Sequence, residues 1–167
     1  MVYFKIIKGD FKTKETIRNV INYVLNPAKN PHNIFHAYGN TKKEIERMAD
    51  SFLVVQRIYN KTSCKRVIHC ILSFSKEERH SPKQYLRYGY MFMGFFEPGT
   101  QYIFALHVKD NFGNSCYPHI HFVINPINSI TGKRLSIDKT MLYSLHEYIN
   151  RIFEGNTDFK NFPEKFV

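Results

Sequence analysis

The chain has 167 residues, with 24 Lys and Arg against 14 Asp and Glu, and a formal net charge of +10. At 43% hydrophobic and 16% aromatic residues it can bury a core of its own, which excludes global disorder, and its length suits one domain. No apolar stretch approaches the roughly 20 residues that span a bilayer, the N-terminal stretch carries no secretory signal, and three cysteines without a Cys-x-x-Cys pair exclude a disulfide framework, so a reducing cytoplasm is the expected setting.

Residues 2–8 read as a first strand, broken by Gly9 and Asp10. Thr13 is the expected N-cap of a helix that ends before Pro27, with Ile17, Val20, Ile21, Val24 and Leu25 on one face at helical spacing. Pro27 to Asn40 reads as a long loop with a short strand at Ile34–Tyr38. Thr41 is the expected cap of a second helix to about Tyr59, with Ile45, Met48, Ala49, Phe52 and Val55 inward. Residues 66–74 form a central strand whose alternation puts Cys70, Leu72 and Phe74 on one face and His69, Ile71 and Ser73 on the other. Ser81-Pro82 opens a third helix to about Phe96. Residues 101–108 and 117–125 are strands joined as a hairpin around Gly113, and a last helix runs from Asp138 to about Phe153. Helices interleaved with strands, including a hairpin, predict an α+β fold with an antiparallel sheet flanked by helices. The expected organisation is one domain over 1–154 and an extended tail over 155–167.

The hairpin carries the most chemistry. His119 and His121 are two apart on a strand and share a face. A hairpin centred on Gly113 sets His107 opposite His119, with Cβ atoms roughly 5 Å apart, whereas a slip of one residue would turn His107 away. One histidine in an apolar strand is usually a satisfied, partly buried residue. Three converging on one patch make a site for a divalent metal with positions left for a substrate oxygen. Ligand softness favours Zn²⁺ or Mn²⁺ for three imidazoles, while Mg²⁺ prefers oxygen.

A metal beside a basic surface suggests phosphodiester chemistry, and a tyrosine is one available nucleophile. Tyr23 points about 130° from the centre of its helix's apolar face, so it is not a core residue of that helix.

Three blocks, in order, now resemble a known family: VINYVLNPAKN at 20–30, HCILSF at 69–74, and ALHV…PHIHFVINPIN…TGKRL at 105–135. The chain resembles the relaxases of mobilisable plasmids and conjugative transposons, in particular the P-type mobilisation group with VirD2-like relaxases, within the HUH endonuclease class. The resemblance implies a sheet of about five antiparallel strands flanked by helices. It implies nicking of one DNA strand at an origin of transfer, through a 5′-phosphotyrosyl intermediate and with a divalent metal as cofactor. Residue by residue, Tyr23 matches the nucleophile and His107, His119 and His121 the metal ligands. Ser73 matches a strand end that contacts DNA, and Asn125, Lys133 and Arg134 match the block after the histidines, expected to bind DNA. Relatives often carry an acid two residues after the first histidine. Here that position is Lys109, so Asp110 becomes the candidate assisting acid or base, and the loop between the histidines is longer. The implied partners are single-stranded origin-of-transfer DNA and accessory relaxosome and coupling proteins. Two other readings stay open: a rolling-circle replication initiator, for which Tyr148 is the rival nucleophile, and a non-catalytic DNA-binding module with a structural zinc.

Overall fold

A computed structural model describes residues 2–37, 41–75 and 80–153, and the backbone of 157–158. In chain order the elements are β1 (Val2–Ile6), α1 (Lys14–Val24), β2 (Phe35–His36), α2 (Lys42–Ile58), β3 (Ile68–Phe74), α3 (Pro82–Met93), β4 (Tyr102–Lys109), β5 (Ser115–Ile124), α4 (Lys139–Ile152) and β6 (Thr157–Asp158).

The helices start where side chains supply missing acceptors to their first N–H groups. Thr13 accepts from Thr16, Asp138 accepts from Met141, and Thr41 with Glu44 and Ser81 with Gln84 form reciprocal capping boxes. All four starts are those the sequence predicts. The third helix stops at Met93, short of the expected Phe96, because Gly94 to Phe96 wind into a tighter turn, with Phe95 and Phe96 N–H reaching carbonyls three residues back. The short strand narrows to Phe35–His36, and Tyr38 lies outside the described residues.

The sheet order is β2-β4-β5-β3-β1-β6. The first five strands in that order pair antiparallel, as expected. Thr157–Asp158 adds a two-residue parallel strand against Val2 and Tyr3, where a tail was expected; the rest of 155–167 lies outside the described residues. Two hydrophobic layers flank the sheet. On one face Phe4, Cys70, Leu72, Phe104, Ile120 and Phe122 pack with Phe92 and Met93 of α3 and Leu142, Leu145 and Ile149 of α4. On the other face Ile103, Ala105 and Val123 pack with Ile17, Val20, Ile21 and Val24 of α1 and with Met48, Ala49 and Phe52 of α2. Each aliphatic side chain that α1 buries contributes about 1.5–3 kcal/mol, which is what docks this helix on the second face. Among the described residues no helix is long and apolar enough to cross a membrane.

Candidate active site

The register brings the histidines together. His107 pairs with His119 across the β4–β5 hairpin, and β3 sets Ser73 beside His119 and Ile71 beside His121. One row of side chains therefore runs Tyr3, Ser73, His119, His107 across the sheet, with His121 in the next row. All of them project from the face on which α1 packs. One ring nitrogen from each of His107, His119 and His121 lies within 4.8 Å of the others.

Each imidazole has one nitrogen engaged and one left over. His107 Nε2–H donates to the Val24 carbonyl at 2.8 Å, and His119 Nδ1–H donates to the Tyr117 carbonyl at 2.7 Å. His121 Nδ1 lies 2.8 Å from His69 Nε2. The carbonyl acceptors leave the free lone pairs of His107 on Nδ1 and of His119 on Nε2, and donation from His121 Nδ1 to His69 leaves that of His121 on Nε2. Among the described residues His107 Nδ1 and His121 Nε2 are buried without a hydrogen-bond partner. Buried polar atoms are rarely left so, and a cation is the ligand that neutral imidazole nitrogens would satisfy. The residues present fit a divalent metal: three histidine ligands, with outer partners fixing the tautomers.

The electrostatics agree. Burial pushes His69 and His107 down to about 4 and His121 well below its ordinary value, and it lowers His119 as well. All four rings are neutral near pH 7, the form that binds metal.

Tyr23 comes to this cluster from the other layer. It is 41% exposed at the C-terminal end of α1. Its ring centre lies 5.4 Å from that of His121, 5.7 Å from His107 and 6.2 Å from His69, each in an edge-on arrangement. Burial, with a smaller contribution from Cys116, raises its phenol above the ordinary value, so it is protonated at neutral pH.

Other sequence candidates land elsewhere. Asn125 is 1% exposed, and its carboxamide is fully used: Oδ1 accepts from Gln56 Nε2 and Ile127 N–H, and Nδ2 donates to the Phe52 carbonyl and Gln101 Oε1. It is a buried clasp between α2 and the sheet, which corrects its expected role in contacting DNA. Asp110 is occupied as well. Its carboxylate accepts from Phe112 N–H, Asn114 N–H and Asn114 Nδ2, closing the β4–β5 turn. Burial works to raise its pKa, but those bonds outweigh it and hold the group below the ordinary carboxylate value. A carboxylate so engaged is a turn organiser and a poor base, so the expected role as assisting acid or base is not carried forward. Lys133 is exposed, and Arg134 is half-buried with Nη2 donating to the Lys65 carbonyl. Both lie in the turn beyond the C-terminal end of β5, where Arg134 pairs with Ile127 and reaches Lys65 rather than a histidine of the triad. Ser73 does face it, half-buried beside His119.

Tyr148 packs in the opposite layer. It lies on α4, with its hydroxyl donating to the Met91 carbonyl at 2.7 Å and its ring against Phe95. The sheet separates it from the histidines.

Two residues that sequence reasoning did not assign belong to the site. His69 supports His121 from the neighbouring strand, and its place on the histidine face was visible in the alternation of β3. Lys29 lies 3.7 Å over the Tyr23 ring, and only its place in the string after Tyr23 hinted at it.

No curated protein matches the chain significantly. The family described as "Relaxase: MobA/VirD2-like, nuclease domain" matches residues 23–156. That span begins at Tyr23 itself, takes in all three histidines, and covers far more than half of the sequence, so the chain belongs to the MobA/VirD2-like relaxases and carries their nuclease domain.

Proposed function

We propose that this relaxase domain nicks one strand at an origin of transfer by transesterification, with Tyr23 as the nucleophile, in the mobilisation of a plasmid or conjugative element. The observation that carries the reading is the meeting of Tyr23, from α1, with the triad on the sheet. Tyr23 Oη bonds to phosphorus and the P–O3′ bond breaks. The strand is left with a free 3′-hydroxyl and a 5′-phosphotyrosyl link, which reverses on religation. The phenol begins protonated, so its proton leaves as the new bond forms. His107, His119 and His121 would hold a divalent ion, which when bound supplies positive charge at the non-bridging oxygens.

Ser73 contacts DNA near the nick, while Lys133 and Arg134 hold flanking phosphates away from it. The partners are single-stranded origin DNA with accessory relaxosome and coupling proteins. The +10 charge suits a polyanionic strand.

Labelled single-stranded oligonucleotides tiling the DNA around the coding sequence, incubated with Mn²⁺ or Mg²⁺, test this. The expected result is a covalent adduct that resists denaturant, is lost in Tyr23→Phe and is retained in Tyr148→Phe. An adduct that survives Tyr23→Phe refutes the nucleophile. Binding without any adduct favours a non-catalytic module.

A further inference from the structure

Lys29 is a lysine that the fold buries. The residue is 5% exposed, in the loop between α1 and β2. Two anchors keep it there: its carbonyl accepts from Val108 N–H of β4 at 2.9 Å, and its ammonium donates to Asn111 Oδ1 in the β4–β5 turn. The ammonium sits over the Tyr23 ring, 3.7 Å from its centre. Among the described residues no carboxylate forms an ion pair with it, and Cys116 and, more weakly, Asp110 act on it through space.

Lysine side chains normally carry their charge out to water, and burying one without a counter-charge is costly. The cation–π contact offsets part of that cost. It does not supply an anion. Here an ammonium with donors to spare lies over the ring of the tyrosine that would attack phosphorus, and its charge is felt by three neutral imidazoles. The anion that would enter this place is the phosphodiester.

We infer that Lys29 is a catalytic residue whose ammonium donates to a non-bridging oxygen of the scissile phosphodiester. The inference rests on Tyr23 as the nucleophile. As the Tyr23 Oη–P bond forms and the P–O3′ bond breaks, negative charge grows on the equatorial oxygens and the Lys29 ammonium neutralises part of it. The phenol proton passes to solvent, and the leaving 3′-oxygen takes one up.

The test uses the oligonucleotide in which the nick has been mapped. In single-turnover adduct formation at saturating enzyme Lys29→Met is expected to be slower by about 10²–10³-fold, with oligonucleotide affinity lowered only by the one phosphate contact and cooperative thermal unfolding close to wild type. Lys29→Arg, which keeps the charge, is expected to recover roughly a tenth of the rate or more. Binding is then compared in the Tyr23→Phe background with a phosphate or a neutral methylphosphonate at the nicked position. Protein with Lys29 should discriminate between the two more strongly than Lys29→Met does. This comparison reads the lysine–phosphate contact whichever residue attacks, so an adduct surviving Tyr23→Phe defeats only the nucleophile, while discrimination undiminished in Lys29→Met defeats Lys29. A wild-type rate in Lys29→Met, a failure of arginine to rescue, or a rate loss that tracks a loss of folding also overturns the inference.

Discussion

His69 is not a ligand in the triad, yet the geometry makes metal affinity depend on it. Its Nε2 lies 2.8 Å from His121 Nδ1, and a His121 that offers Nε2 to a metal carries its proton on Nδ1 and donates it to His69. That bond keeps the proton on Nδ1 and the lone pair on Nε2, where the metal would sit. His69→Phe removes the acceptor while keeping a ring of similar size against Phe11 and Tyr23, whose centres lie 6.3 Å and 6.2 Å away. Loss of such an outer partner typically lowers metal affinity 10–100-fold, or about 1.4–2.7 kcal/mol at 1.4 kcal/mol per decade. His121→Ala, which deletes a ligand outright, is expected to cost more and sets the scale. The assay is competition between the metal-free protein and a chromophoric chelator for Mn²⁺ or Zn²⁺ at pH 7. An affinity in His69→Phe within twofold of wild type, alongside a large loss in His121→Ala, would refute the argument that the second imidazole sets the tautomer of the first.

Two further outcomes follow from burial. In the folded, metal-free protein His69 and His107 are held at about 4 instead of 6.5, so the unfolded chain binds more protons between those values. Stability is then complete above about pH 6.5 and falls as the pH drops towards 4, by on the order of 3 kcal/mol per imidazole, which urea unfolding at pH 7 and pH 4.5 measures. Asn125→Ala strands three buried partners on Gln56, Phe52 and Ile127 and a half-buried one on Gln101, and is expected to cost about 4 kcal/mol in urea unfolding. The oligonucleotide affinity of its folded fraction should be unchanged, and a loss of affinity at unchanged stability would return Asn125 to the DNA interface.

How much could be read from the sequence depended on how local the cause was. The His107–His119 pair needed only a turn at Gly113 and the alternation of two adjoining strands. The register expected from that turn holds from Tyr102 opposite Ile124 up to this pair, and it fails only nearer the tip, where a shift puts Lys109 opposite Ser115. Helix starts were legible because the caps lie within three residues of what they cap. The outward turn of Tyr23 from its own helix was legible too, but its approach to the histidines was not, since that depends on which face of the sheet α1 covers. Asn125 looked like a surface residue at a strand end because the partners that bury it, Gln56 and Gln101, are 69 and 24 residues away. The service of His69 to His121 depends on the β3–β5 pairing, which no turn sets, and the place of Lys29 depends on a loop laid along β4. Asp110 was misread for the opposite reason: its partners, Phe112 and Asn114, are so close that they form its turn.

The last carbonyls of a helix have no N–H of their own to receive. For Val24 at the end of α1 the missing donor is His107 Nε2–H. The imidazole that offers Nδ1 to a metal is thus also the clasp on the helix that carries the tyrosine. If α1 lifts away, the proton that fixes the His107 tautomer loses its acceptor in the same motion that withdraws Tyr23. Were a metal bound, the bond would disfavour both a loaded site without its tyrosine and a docked tyrosine beside a wrongly protonated histidine. If Tyr23 is the nucleophile, one hydrogen bond thus ties the geometry of a metal ligand to the docking of the attacking residue.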